Sequence, residues 1–193
     1  MQHTKTILAA TAALALCVGV PALADSTTAT VHRFADGTQV EEAWSQLGTG
    51  HEGAHFTLHT SDLEPGHTVT VWYVIFNNPT ECSHPEGPLR CGPGDLPPFG
   101  GDDTAETSVV YAAGHQVGTS GPTIFAGSLR TGDTDGALWG PGLANPLGAD
   151  VHLVVRDHGR LAPQQRAAGI HDFETCGPDC VDVQFSAHEP TRQ

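Results

Sequence analysis

The sequence predicts an all-β chain: an antiparallel, Greek-key-like β-sandwich of about seven strands with disulfide-stapled loops. Three observations carry that expectation. Thr68 to Phe76 (TVTVWYVIF) runs for nine residues in threonine, apolar and aromatic side chains, a length and composition that suit a strand rather than a helix. Shorter apolar or alternating runs recur along the chain, separated by glycine, proline, asparagine and aspartate, the punctuation of turns. Beyond the N-terminal segment, four cysteines lie in two close pairs, as expected of cross-linked loops.

Residues 1–24 read as a signal peptide and 25–193 as a single domain. Lys5 supplies a positive start, Ile7 to Val20 an apolar core, and Ala22-Leu23-Ala24 the small-x-small pattern that signal peptidase cuts. Cys17 sits inside the apolar core without the small residue that follows a lipoprotein cysteine. No later stretch reaches the ~18 apolar residues of a membrane-spanning helix, so no membrane insertion is expected after cleavage. The expected location is the periplasm or the extracellular medium.

The chain carries 22 acidic residues against eight basic ones, a net charge of −14. Lys5 is its one lysine. A surface this acidic repels nucleic acid and anionic lipid, so neither is an expected partner.

The four remaining cysteines, Cys82, Cys91, Cys176 and Cys180, allow three pairings. The local pairs Cys82–Cys91 and Cys176–Cys180 are preferred, because each closes a glycine- and proline-containing loop. Each contributes roughly 2–3 kcal/mol on a chain-entropy argument.

The elements follow in order. Thr28 to Phe34 is a first strand, with Asp36-Gly37 as its turn. Glu41 to Leu47 reads as one helical turn or an irregular edge, since Gly48, Gly50 and Gly53 oppose a longer helix. Ala54 to Thr60 alternates, with Phe56 and Leu58 on one face and His55, Thr57 and His59 on the other. Leu63-Glu64-Pro65-Gly66 turns into the long central strand. Both faces of that strand are apolar, Val69, Val71, Tyr73 and Ile75 against Thr70, Trp72, Val74 and Phe76, which places it inside the fold.

Residues 79–106 form a long connection rich in proline, glycine and aspartate, a length that is uncommon without a role or a staple. Strands resume at Thr107 to Ala112, Thr123 to Leu129, Asp150 to Arg156 and Val181 to Ser186. A short surface helix is expected over Ala162 to Ile170, starting at Pro163.

Histidine is the candidate chemistry-bearing residue. His51, His55 and His59 are spaced by four, but a strand puts His55 and His59 about 13 Å apart at ~3.3 Å per residue. His152 and His158 are roughly 20 Å apart on the same count. A copper or zinc site therefore needs convergence across strands, with His55 or His59 meeting His152 and Asp150 adding an oxygen. Asp133-Thr134-Asp135-Gly136 resembles the start of a calcium loop but lacks its glutamate, and Gly101-Asp102-Asp103 is a second acidic turn. Weak calcium binding is the most these offer. Cys176-Gly177-Pro178-Asp179-Cys180 is one residue too long for a Cys-x-x-Cys redox motif. No Gly-x-Ser-x-Gly marks a hydrolase nucleophile.

Leu63 to His67 running into Val71-Trp72 resembles the turn-and-strand pattern of secreted chordin-type (CHRD) β-domains. The piece to Cys82, together with Gly148 to Gly159, resembles a group of uncharacterised bacterial secreted proteins. That resemblance implies an exported β-sandwich and no catalytic residues. The first expectation is thus an exported, non-catalytic binding or structural module. The alternatives are a divalent-metal (copper or zinc) binder using His55, His59, His152, His158 and Asp150, and a hydrolase with an unrecognised site.

Overall fold

A computed structural model describes residues 25–119, 123–175 and 179–190. The expected signal peptide and Cys176 lie outside these residues. The strands are β1 (Asp25–Arg33), β2 (Gln39–Gly50), β3 (Gly53–Thr60), β4 (Thr68–Phe76), β5 (Thr107–Gln116), β6 (Thr123–Arg130), β7 (Ala137–Trp139), β8 (Asp150–Asp157) and β9 (Val181–His188). One helix, α1 (Pro163–Gly169), follows β8. The described residues are all-β and antiparallel, as expected, but among them nine strands rather than seven form one sheet in the order β6-β3-β2-β1-β9-β8-β4-β5-β7.

The two additional strands have separable causes. In β2, Val40, Ala43 and Leu47 are buried, a spacing of three and four that imitates a helix face. A bulge produces it. Between Thr30 and His32 of β1 the partner on β2 jumps from Trp44 to Gln39, and Glu42 takes a left-handed φ of 56°. The extra residues reset the alternation so that Val40 and Ala43 both point inward. The region expected to be a helical turn or irregular edge is thus an internal strand. β7 is three residues long and pairs with Val109 and Val110 of β5, too short to leave a periodic signal.

The sheet curls around one core. Val31, Leu47, Phe56, Leu58, Val71, Tyr73, Val110, Phe125 and Leu153, from seven strands, belong to a single buried cluster. Phe56 meets the Tyr73 ring edge-on at 5.4 Å. The curl brings edge strand β6 against β5. There Gly127 lies so near the Ala112 carbonyl that a Cβ would stand 2.5 Å from the oxygen.

At the β1–β9 junction only two residue pairs form, His32–Phe185 and Arg33–Gln184. Side chains bridge the rest of the junction. Ser45 Oγ bonds Ser186 Oγ at 2.8 Å, and His188 contacts Ser45 Oγ through Nε2 and Thr27 Oγ1 through Nδ1, each at 2.8 Å. Thr60 donates to Gln184 Oε1, and Gln184 Nε2 donates to the Ser61 carbonyl. Burial holds the His188 pKa down to about 4, with His152 adding to the depression and Asp150 opposing it. His188 is therefore neutral in the fold at pH 7, and the two hydroxyls can match either tautomer.

The 79–106 connection is an ordered flap over the outer face of the sheet. Three short 3-10 turns, Pro79–Glu81, Pro93–Asp95 and Pro97–Phe99, each begin with proline. The Cys82–Cys91 disulfide is present. Asp95 accepts from the backbone N–H groups of Gly92, Ser83 and His84 and from the His84 ring. Burial works to raise its pKa, but these bonds outweigh the desolvation and hold the carboxyl below its ordinary range. Asn77 ties both margins, donating to the Glu106 and Gly142 carbonyls and accepting from the Ala144 and Asn145 amides. The expected calcium loops are turns closed on themselves. Asp133 accepts from the Asp135 amide, and Asp102 from Thr104.

Two outcomes follow from the curl and its junction. Gly127→Ala should cost about 1–3 kcal/mol in urea unfolding, because the added methyl meets backbone and the buried Phe56 ring, neither of which yields easily. His188 fixes the direction of a pH effect. Below the ordinary histidine pKa of 6.5 the unfolded chain takes up a proton that the folded chain refuses until about pH 4. Stability should fall by roughly 3 kcal/mol across that window relative to His188→Gln, measured as the difference between the two proteins' pH profiles.

Candidate binding site

The outer face of β4 and β8 carries the site. Antiparallel register sets Phe76 beside Asp150, Val74 beside His152, Trp72 beside Val154 and Thr70 beside Arg156. β5 and β7 extend this face with Val109, Tyr111 and Trp139. Asp150, His152, Val154 and Arg156 alternate onto this one side of β8. The side is not open to water, however. Asp150 and His152 are buried, and the flap residues Gly92 and Pro93 stand beside His152.

Each cover has its own fastening. Cys91, Leu96 and Ala105 of the flap form a second buried cluster with Phe76 of β4. At the other end Phe173 meets Trp72 edge-on at 5.1 Å. Arg156 stacks 3.9 Å above the Phe173 ring, donates to the Phe173 carbonyl at 3.0 Å and pairs with Asp182 at 2.7 Å. Trp72 Nε1 donates to Thr70 Oγ1, which also bonds His158 Nε2, both at 2.7 Å. Burial lowers the His158 pKa, and the nearby Arg156 charge adds to that shift.

Between the covers is a cavity of about 230 Å³, walled by Trp72, Val74, Phe76, Val109, Trp139, Val154, Phe173 and the flap residues Leu96, Pro98 and Phe99, with His152 and Asp182 at its margin. Phe99 is 68% exposed and Phe34 40%, so two aromatic rings stand at the mouth in contact with solvent. His152 also borders an adjoining recess that includes Asp36 and Glu86.

The expected histidine convergence does not form. β3 and β8 are separated by β2, β1 and β9, so the neighbouring of His55 or His59 with His152 is corrected. The His55 ring lies across Gly48, its cross-strand partner, where a Cβ would stand 2.3 Å from the ring. His59 stacks on Trp44 and contacts the Glu42 carbonyl. His158 is engaged with Thr70 and lies 3.7 Å from Cys180 Sγ. Of the candidate ligands the fold joins only Asp150 and His152, whose Oδ1 and Nε2 are 3.3 Å apart. Among the described residues one trio of ligand types comes close together, Cys82, Cys91 and Asp95, and its two sulfurs are bonded to each other. The expected Cys176–Cys180 link involves Cys176, outside the described residues; Cys180 itself is disulfide-bonded.

Sequence reasoning missed Phe34, Phe99, Trp139 and Phe173. A signal for them existed: a strand apolar on both faces needs a second cover, and Phe99, Trp139 and Phe173 are large aromatics among proline, glycine and aspartate, with Phe34 next to the Asp36-Gly37 turn. Compared with protein-family models, with curated proteins and with solved structures, the chain matches none.

Arg156→Ala should lower stability by about 1–3 kcal/mol, since it removes the cation–π contact and two bonds from a mostly buried group. Loosening of Phe173 should also shift tryptophan emission to the red, which fluorescence spectroscopy reads directly.

Proposed function

We propose that this protein is an exported, non-catalytic binding module that takes up a compact apolar molecule between its sheet and its flap. The cavity over β4 and β8 carries that reading. An apolar cavity of about 150 Å³ holds benzene, so about 230 Å³ suits a one-ring or short branched molecule. Exposed Phe34 and Phe99 at the mouth provide apolar surface on the way in.

Export is supported by the character of residues 1–24 and by the Cys82–Cys91 bond, since disulfides persist in oxidising compartments. Among the described residues no helix is long and apolar enough to cross a membrane. The copper or zinc reading loses its support with the separation of β3 from β8. A hydrolase of the serine, threonine or cysteine kind would need its nucleophile beside His152, and the cavity wall includes no serine, threonine or cysteine.

Toluene titrated into the oxidised protein, followed by tryptophan fluorescence and by the thermal midpoint, should saturate with Kd of roughly 10⁻⁴ M and raise the midpoint. Val154→Trp should fill the cavity and abolish the response. Absence of saturation, or equal binding by Val154→Trp, would overturn the assignment.

A further inference from the structure

The outer face of the sheet continues over β1, β2, β3 and β6, away from the cavity, and there it is open to solvent. Cross-strand register lays this part out in rows. Thr30, Trp44, His59 and Ile124 form one row. Thr28, Gln46, Thr57 and Ala126 form the next. Ser26, Gly48, His55 and Ser128 form the third. Thr57 and His59 are half-buried, Gly48 is covered by the His55 ring, and the other side chains of the three rows are exposed. Not one position in the rows is aspartate, glutamate, lysine or arginine. About a quarter to a third of an ordinary protein surface is charged, and this chain carries 22 acidic residues. Charge returns only at the margins, at Glu41 and Glu42 in the β2 bulge beyond Trp44 and at Arg130 beyond Ser128.

We infer that this face binds an uncharged polysaccharide. Charge complementarity selects the partner's charge. An ionic polymer laid here would lose water from its charges and meet none of opposite sign on the rows, whereas a neutral chain incurs no such cost. The side chains select hydroxyl groups. Serine, threonine and glutamine both donate and accept hydrogen bonds, as Gln46 already does toward Ser26 Oγ at 3.1 Å, and a sugar hydroxyl has the same double capacity. Trp44 is 41% exposed and lies parallel to the His59 ring, with 5.9 Å between centroids and 8° between planes. Together with exposed Ile124 it offers apolar area to the C–H face of a sugar ring. His55 lies across Gly48, where a Cβ would stand 2.3 Å from the ring, so the third row sets no ridge of side chains in the path of a long chain.

Size argues against a protein partner, a second copy included. At ~4.8 Å between strands and ~6.8 Å between rows, the uncharged area is about 14 Å on each side, or roughly 200 Å². A stable protein interface takes about 800 Å² from each partner, and its centre is depleted in serine and alanine, which this face carries at Ser26, Ala126 and Ser128. A polymer needs no such area in one place, because a bound segment of a few sugar units belongs to a chain that offers many.

Depletion of the oxidised protein from solution by insoluble polysaccharide tests the inference, with microcrystalline cellulose, chitin, mannan and the β-1,3-glucan curdlan as neutral probes and cross-linked polygalacturonate as the anionic one. At least one neutral probe should bind the protein about tenfold or more tighter than polygalacturonate does. Gln46→Glu keeps the shape of an exposed side chain and puts one charge on the middle row, so it should weaken that binding about five- to tenfold. Trp44→Ala should weaken it by a similar factor, and circular dichroism of both variants should match the unaltered protein. Failure of all four neutral probes, or equal or tighter binding of polygalacturonate, would overturn the inference. Undiminished binding by Gln46→Glu would also overturn it, by placing the contact on another surface. A dimer in sedimentation that Gln46→Glu dissociates would overturn it in favour of a second copy. None of these results bears on the cavity, which lies beneath the flap on the other part of the sheet.

Discussion

Everything in this fold answers to the two-sided burial of β4. Val69, Val71, Tyr73 and Ile75 are covered by the curl of the sheet, and Trp72 and Phe76 are as deeply buried on the opposite side. Each such side chain gains roughly 1.5–3 kcal/mol from leaving water, so a single-layer cover would forfeit half of the strand's contribution. A curled antiparallel sheet can enclose only its concave side. The convex side must be covered by connections, which explains why the long 79–106 segment is ordered. It also explains why the fastenings lie at the margins of that side: the Cys82–Cys91 bond and Asp95 within the flap, Asn77 at its base, and Arg156 over Phe173 opposite.

Polar groups in the interior follow the same geometry. Where β1 and β9 exchange only two residue pairs, backbone pairing gives way to the hydroxyls and amides of Ser45, Thr60, Gln184, Ser186 and the neutral His188. These groups are satisfied by one another, which is the condition for burying them. Asp150 and His152, on the convex side, are not treated this way. They meet each other out of line, and His152 borders a region where the covers do not close. An incompletely satisfied pair beside a cavity is a site at which a ligand can supply what the protein does not.

The cavity itself has a physical origin in the mismatch of its walls. One wall is regular sheet, in which β4, β5 and β8 set side chains at fixed spacings. The other comprises short proline-led turns and the chain beyond α1, whose shapes are set by their own internal bonds. Irregular segments held from their edges do not interlock with a pleated surface over its whole area, and the space left is apolar because both walls are.

Much of this was legible in the residues alone. Strand character, the apolar faces of β4, the alternation of β3, the Cys82–Cys91 pairing and a helix beginning at Pro163 all depend on neighbours in sequence, where propensity, period and loop length act. The helix-like spacing within β2 misled because a bulge is a property of two paired strands, and the pattern of one does not contain it. Histidine chemistry misled for a related reason. The spacing of His55, His59, His152 and His158 is a one-dimensional fact, whereas ligation depends on which strands adjoin, and three strands lie between β3 and β8. That β4 would need two covers was determined by its composition. Which segments cover it, and where they leave a gap beside His152, was decided only by tertiary structure, because packing between distant segments depends on shape rather than on hydrophobicity or period.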